Sequence, residues 1–138
     1  MSNLLEKASI ITTPTAYSDG FIHSVKPEEN LGPELITNGD FSNGSTGWVL
    51  NDWTIADGKA SLVNGSSLIQ QNGILEVGKT YKIQYEILEH SSGTVRWRAN
   101  QVNGSTNASV KLVTDFITVA GTSFAIQGYN SFTGSISN

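Results

Sequence analysis

Hydrophobic and polar residues alternate most clearly from Thr80 to Leu88. Tyr81, Ile83, Tyr85 and Ile87 take every second place, with Lys82, Gln84 and Glu86 between them. Strand side chains point to alternate faces, so this period of two predicts a strand with one buried and one wet face. Thr94 to Ala99 repeats the pattern, with Val95, Trp97 and Ala99 on one side and Arg96 and Arg98 on the other. The intervening His90-Ser91-Ser92-Gly93 reads as a hairpin-like loop. Pairing of the two strands would set Glu86 against an arginine across the ladder. Lys59 to Val63, Ser67 to Gln71, Ser109 to Val113, Asp115 to Val119 and Ser123 to Tyr129 supply the remaining strands.

Turn signals separate these runs. Asp57-Gly58 precedes Lys59, and Asn-Gly recurs at Asn38, Asn43, Asn64, Asn72 and Asn103. Both residues of that dipeptide tolerate positive φ, which tight hairpin turns require. Those at Asn43, Asn64 and Asn103 continue as Asn-Gly-Ser, a glycosylation acceptor pattern, but they read as turns because no secretory leader is evident.

Residues 1–33 follow a different pattern. Leu4 to Ala8 has the length of one helical turn, Ile10 to Thr13 is β-branched before Pro14, and Tyr17-Ser18-Asp19-Gly20 reads as a turn before Phe21 and Ile22. No run here is long enough to build a core, yet Leu4, Leu5, Ile10, Ile11, Tyr17, Phe21 and Ile22 are too apolar for an idle linker. Two readings stay open: a segment that orders against a partner, or an extra edge strand on the chain's own sheet.

Composition sharpens the class. The 138 residues are 38% hydrophobic and only 14% charged, with 14 glycines, which suits a turn-rich all-β domain. A domain of about 100 residues buries roughly 60–65% of its unfolded surface, which suffices without staples. There is no cysteine, so disulfides and thiolate chemistry are excluded. The net charge of −4 argues against a nucleic-acid partner. No apolar run approaches the roughly 20 residues of a membrane span. Met1 to Lys7 carries Glu6 beside Lys7 and lacks the basic-then-apolar layout of a secretory leader, so synthesis and first folding are expected in the cytoplasm of the producing cell.

Two resemblances follow. The first is carried by Leu35-Ile36-Thr37-Asn38-Gly39-Asp40-Phe41, Gly47-Trp48, Trp53 with Ile55, Leu75 to Tyr81, and Phe132 to Asn138. Residues 34–138 resemble the jelly-roll β-sandwich of carbohydrate-binding modules appended to glycoside hydrolases. That implies an all-β antiparallel sandwich with a short strand before Asn38. Such domains continue past their last Gly-Ser-Ile run with a closing strand. Here the sequence stops at Asn138, where that strand would begin, so the expectation is either a longer chain or a strand supplied by a partner, since sheets rarely leave such an edge uncovered. The second is carried by Leu4 to Gly20 and Ser24-Val25-Lys26-Pro27. This stretch resembles the N-terminal segment of structural proteins in tailed bacteriophages, where it precedes varied lectin-like or jelly-roll domains. It implies a virion protein assembled in the host cytoplasm, anchored to capsid or tail through residues 1–33. Leu4, Leu5, Ile10, Ile11, Phe21 and Ile22 would insert into the partner. It also implies several copies together, threefold by analogy with other such projections.

Carbohydrate modules stack sugar rings on aromatics and bond hydroxyls with planar polar groups. Trp97, Tyr81 and Tyr85 share parity with apolar neighbours and read as core, as does Trp48. Trp53, between Asp52 and Thr54, is the tryptophan left for a sugar, with Gln84, Glu86, Arg96 and Arg98 as the polar side of a cleft, in the host or mucus glycan reading. The alternative for that face is a solvated sheet with weak cross-strand ion pairs. The resemblance also implies a structural calcium near the first strand, with Asn38 and Asp40 as ligands, although the family's terminal aspartate is Ser137 here. His23 and His90 are solitary, and no nucleophile or phosphate-loop motif appears, so no enzyme and no other cofactor is expected. The competing function is a free or enzyme-appended lectin module. A third reading is a structural adaptor that binds no sugar.

Overall fold

The structure is a computed structural model and describes residues 17–18, 21–22 and 30–138. The chain divides into two compact units, Met1–Gly32 and Pro33–Asn138. In the first, β1 (Tyr17–Ser18) pairs antiparallel with β2 (Phe21–Ile22), with Ser18 opposite Phe21. Of the expected anchoring residues, Phe21 and Ile22 fall in β2, while Leu4, Leu5, Ile10 and Ile11 lie outside the described residues.

The second unit is all-β. Its elements are β3 (Val49–Leu50), β4 (Thr54–Ala56), β5 (Lys59–Gly65), β6 (Leu68–Gln71), β7 (Thr80–Ala99), β8 (Val102–Asn103), β9 (Lys111–Thr118) and β10 (Phe124–Ser137). They form one eight-stranded antiparallel sheet with β10 at its centre. On one side β10 pairs with β7, from Phe124↔Ala99 to Ser137↔Glu86. On the other it pairs first with β6 and then with β5. β3 extends the sheet beyond β6 and β4 beyond β5, while β9 pairs with the first half of β7 and β8 with its end.

The expected hairpin at His90–Gly93 is not formed. β7 is a single strand of 20 residues that runs through this stretch. Ser92 pairs with Thr133 and Thr94 with Tyr129, so β10 holds these small polar residues in the ladder and the chain bends rather than reverses. Glu86 consequently stands beside Leu112 and Ser137, and Arg96 beside Gln127, so the Glu86–arginine ladder pair does not exist.

The bend is large. Fourteen residues separate Ile83 from Trp97, about 46 Å along a straight strand. Yet Asp115, which pairs with Ile83, accepts a hydrogen bond from Trp97 Nε1 at 2.6 Å. β7 therefore curls back over itself, and its two halves share one core. Ile83, Tyr85 and Ile87 from the first half and Val95, Trp97 and Ala99 from the second are all buried there.

The corner has a defined construction. Between Thr94↔Tyr129 and Ser92↔Thr133, β10 advances four residues while β7 advances two, a bulge on β10. Asn130 and Ser131 supply its positive φ angles, 54° and 60°. Gly93 faces the bulge with φ 69°, and a Cβ there would lie 2.5 Å from the Phe132 backbone. Phe132 is fully buried, stacked on Trp53 with ring centres 6.1 Å apart and 6.0 Å from His90. His90, read from sequence as a loop residue, bonds the Gly93 carbonyl at 2.9 Å and packs into this corner.

One further expectation is corrected. Residues 34–36 form no strand. Thr37 is instead held by one side chain: Gln71 Oε1 accepts from Thr37 N at 3.1 Å, and Gln71 Nε2 donates to Thr37 O at 2.6 Å. An amide side chain thus replaces a ladder partner, which anchors one residue without requiring the extended run before it. Residues 132–137 are the second half of β10, with β5 on one side and β7 on the other.

Candidate functional site

The tryptophans come first, because sugar recognition needs an exposed aromatic face. Trp53 is only 3% exposed, so its assignment as a stacking platform is corrected. Its sequence neighbours Asp52 and Thr54 are polar, which reads as a loop. The fold instead places it under the corner, on Phe132, with Nε1 donating to Ser67 O at 3.1 Å. Trp48 and Trp97 are also buried, and their Nε1 groups donate to Asn38 O and Asp115 Oδ2. An indole whose one donor has an internal acceptor packs as core despite its polar atom.

The polar residues expected to form one cleft are divided by the curl of β7. Both halves turn their odd-numbered side chains into the same core. Their even-numbered side chains therefore face away from it on opposite sides. Gln84 and Glu86 lie on one outer face, and Arg96 and Arg98 lie on the other.

The first face is built by β7 and β9. Its residues meet their cross-strand neighbours. Thr80 and Thr118 share a hydroxyl hydrogen bond of 2.8 Å, and Gln84 Nε2 donates to Thr114 Oγ1 at 3.3 Å. Lys82 Nζ stands 6.0 Å from the centre of the Phe116 ring. Glu86 pairs in register with Leu112. Phe116 and Leu112 are 57% and 56% exposed, although their apolar character would place them in a core.

The second face is built by β7, β10 and β6. Arg96, Gln127 and Leu68 share one register row, and Arg98, Ala125 and Gln70 share the next. Arg96 donates from Nε and Nη2 to Gln127 Oε1 at 3.1 and 3.0 Å. Its guanidinium lies over the Tyr129 ring, 4.7 Å from the centre. Arg98 Nη2 reaches Asn100 O at 3.4 Å, and its buried Nε has no hydrogen-bond partner. Among the described residues, no carboxylate pairs with either arginine.

Asn38 and Asp40, the expected calcium ligands, organise the loop that precedes β3. Asn38 has φ 56° and sits at the loop's centre. Its Nδ2 donates to Gly44 O and Thr46 O, and its Oδ1 accepts from Asn43 N at 2.9 Å. Asp40 Oδ1 accepts from Ser42 N at 3.1 Å and from Ser42 Oγ at 2.9 Å. These bonds, the backbone one first, hold the Asp40 carboxyl below the usual carboxylate range. Calcium needs six to eight oxygens. Here one oxygen of each residue is already committed to an N–H, and among the described residues no three acidic, histidine or cysteine side chains gather.

A small cleft of about 40 Å³ opens beneath this loop, lined by Ile36, Phe41, Trp48, Tyr85, Phe124 and Ile136, with Gln84, Ser137 and Asn138 also bordering it. Ligand pockets span roughly 300–1,000 Å³, so this cleft does not hold a sugar ring. Burial pushes the Tyr85 phenol well above its ordinary range, which keeps it neutral in the core.

Sequence reasoning missed Gln127, and it counted Tyr129 among the aromatics without placing it beside Arg96. Their signal was present: Ala125, Gln127 and Tyr129 alternate with Phe124, Ile126 and Gly128. Parity alone does not reveal that this strand lies beside Arg96. Comparison with known protein families, with curated proteins and with solved structures finds no match.

Proposed function

We propose that this chain is a structural and adhesive component of a tailed-phage virion. The segment of residues 1–33 anchors it to capsid or tail, and the jelly-roll module that follows displays an outer face for glycans. The division into units Met1–Gly32 and Pro33–Asn138 carries this reading, because an anchor and a displayed module need separate bodies. The resemblance of Leu4 to Pro27 to phage structural proteins supplies the virion context. The amide- and arginine-bearing outer face supports adhesion, and it equally suits the competing reading of a free lectin module. The test replaces Ile10 and Ile11 with Asp in the full chain and assays purified virions by immunogold labelling against residues 34–138. Wild-type label that disappears in the variant supports the anchor. Normal incorporation of the variant overturns it, and no wild-type label returns the chain to the lectin reading.

A further inference from the structure

Arg96 and Arg98 are two cations on one outer face of a chain whose net charge is −4. Two residues apart on a strand, their Cα atoms lie about 7 Å apart. Carboxylates exist elsewhere in the domain, but among the described residues the ion pairs formed are Lys59–Glu89 and Lys79–Glu76. Uncompensated arginines at this spacing repel each other unless an anion lies between them.

Their surroundings fix the geometry. Gln127 Oε1 takes two of the Arg96 donors, and the Tyr129 ring supports its plane, so this guanidinium is held before any ligand arrives. Pre-ordering of a long side chain removes much of the entropy loss of binding. Arg98 has a buried Nε without an acceptor, a group whose desolvation nothing within the domain offsets. In the next row, Ala125 pairs with both Arg98 and Gln70 and is buried, so the longer side chains on either side of it form the surface there. Tyr129, 39% exposed, closes one end of the face.

We infer that this face binds an anionic glycan, with Arg96 and Arg98 sharing a carboxylate or sulfate group of one sugar. Guanidinium groups match both anions through paired N–H donors. The neutral amides of Gln70 and Gln127 offer bonds to neighbouring hydroxyls. Two cations among amides suit a singly charged sugar better than the dense charge of nucleic acid, which favours a strongly basic surface. The inference rests on reading the module as adhesive and adds the ligand class and its position.

The test is affinity electrophoresis of the full chain through gels containing polygalacturonate, dextran sulfate or plain dextran. Retardation is expected with at least one anionic polymer and not with dextran, and the two anionic gels separate carboxylate from sulfate recognition. Raising salt from about 50 to about 500 mM should weaken it. The double variant Arg96→Gln, Arg98→Gln should lose about tenfold or more in affinity while unfolding at the same temperature. Lys82→Gln, on the opposite face, should bind as wild type. Equal retardation by dextran, or undiminished binding by the double variant, overturns the anionic site but leaves an adhesive module. No retardation in any gel overturns the glycan ligand altogether. Neither result touches the anchor, which is read by incorporation of the Ile10/Ile11 variant.

Discussion

The two halves of β7 carry the same alternation and yet present different chemistry. From Thr80 to Ile87 the outer side chains meet partners on β9, hydroxyl to hydroxyl and amide to hydroxyl. From Thr94 to Ala99 the outer side chains are arginines beside the neutral groups of β10. Alternation decides which residues point outward. The neighbouring strand decides whether they are satisfied there. An outer face is therefore a property of two or three strands, and the corner at Gly93 sends its two versions to opposite sides.

The comparison breaks most completely if the corner fails. Gly93→Ala forces a Cβ against the Phe132 backbone at a positive φ. Strain and overpacking together should destabilise the domain by about 3 kcal/mol or more. Gly44 has a similar φ of 57° with nothing within 4 Å of a Cβ. Gly44→Ala should therefore cost only about 1 kcal/mol, the backbone part alone. Urea unfolding of both variants separates the two contributions. Equal losses would mean that the close approach at Gly93 is not what holds the corner.

A smaller break removes the bond that ties the halves together. Trp97→Phe keeps the aromatic bulk but leaves Asp115 without its 2.6 Å donor. A hydrogen bond to a charged group in partly buried surroundings is worth about 2 kcal/mol. Denaturant unfolding should show that loss with an unchanged m-value, since the curl itself persists. A loss below about 0.5 kcal/mol would mean that the packing of the two halves needs no polar tie.

The buried faces of β7 were legible in the sequence, while strand extents and pairing were not. Ser109 to Val113 and Asp115 to Val119 read as two strands where β9 is one, and the run from Ser123 reads as ending at Tyr129 where β10 continues to Ser137. The odd-numbered residues from Ile83 to Ile87 and from Val95 to Ala99 read correctly as inward, because period two is local. His90-Ser91-Ser92-Gly93 read as a turn because small polar residues and a glycine mark a sharp bend and a reversal alike. The two differ only in the partner strand, more than thirty residues later. Trp53 read as accessible because its sequence neighbours are polar, whereas its burial comes from Phe132 and Ser67. For the same reason Arg96 and Arg98 were recognised, while Gln127 was not and Tyr129 was not placed beside Arg96.

Stability should respond weakly to the outer faces themselves. Gln84→Ala removes a 3.3 Å bond on an exposed ladder and should change unfolding by less than about 0.5 kcal/mol. Gln127→Ala should be nearly as mild in stability, although it frees the Arg96 guanidinium. If adhesion resides on the second face, Gln127→Ala lowers affinity for the anionic polymer and Gln84→Ala does not. That contrast sharpens the difference between the faces without disturbing the fold.

The smallest effect lies at the joint between the halves, where Glu89 pairs with Lys59. The hydrogen bond and charge of Lys59 hold the Glu89 carboxyl below its ordinary 4.5. A carboxyl with a lowered folded pKa contributes stability above its unfolded value and loses it as pH falls through the folded one. The contribution is therefore intact at neutral pH and disappears below about pH 4.5. Glu89 is exposed and the Lys59 side chain half-buried, so solvent screens the pair and the slope will be shallow. Lys59→Met should flatten that part of the acid limb in urea midpoints taken from neutral pH to about pH 3, and Glu89→Gln should flatten it equally. Wild type and Lys59→Met falling in parallel would mean that the joint is held by Gly93 and Phe132 alone, with the ion pair a passenger on the corner they build.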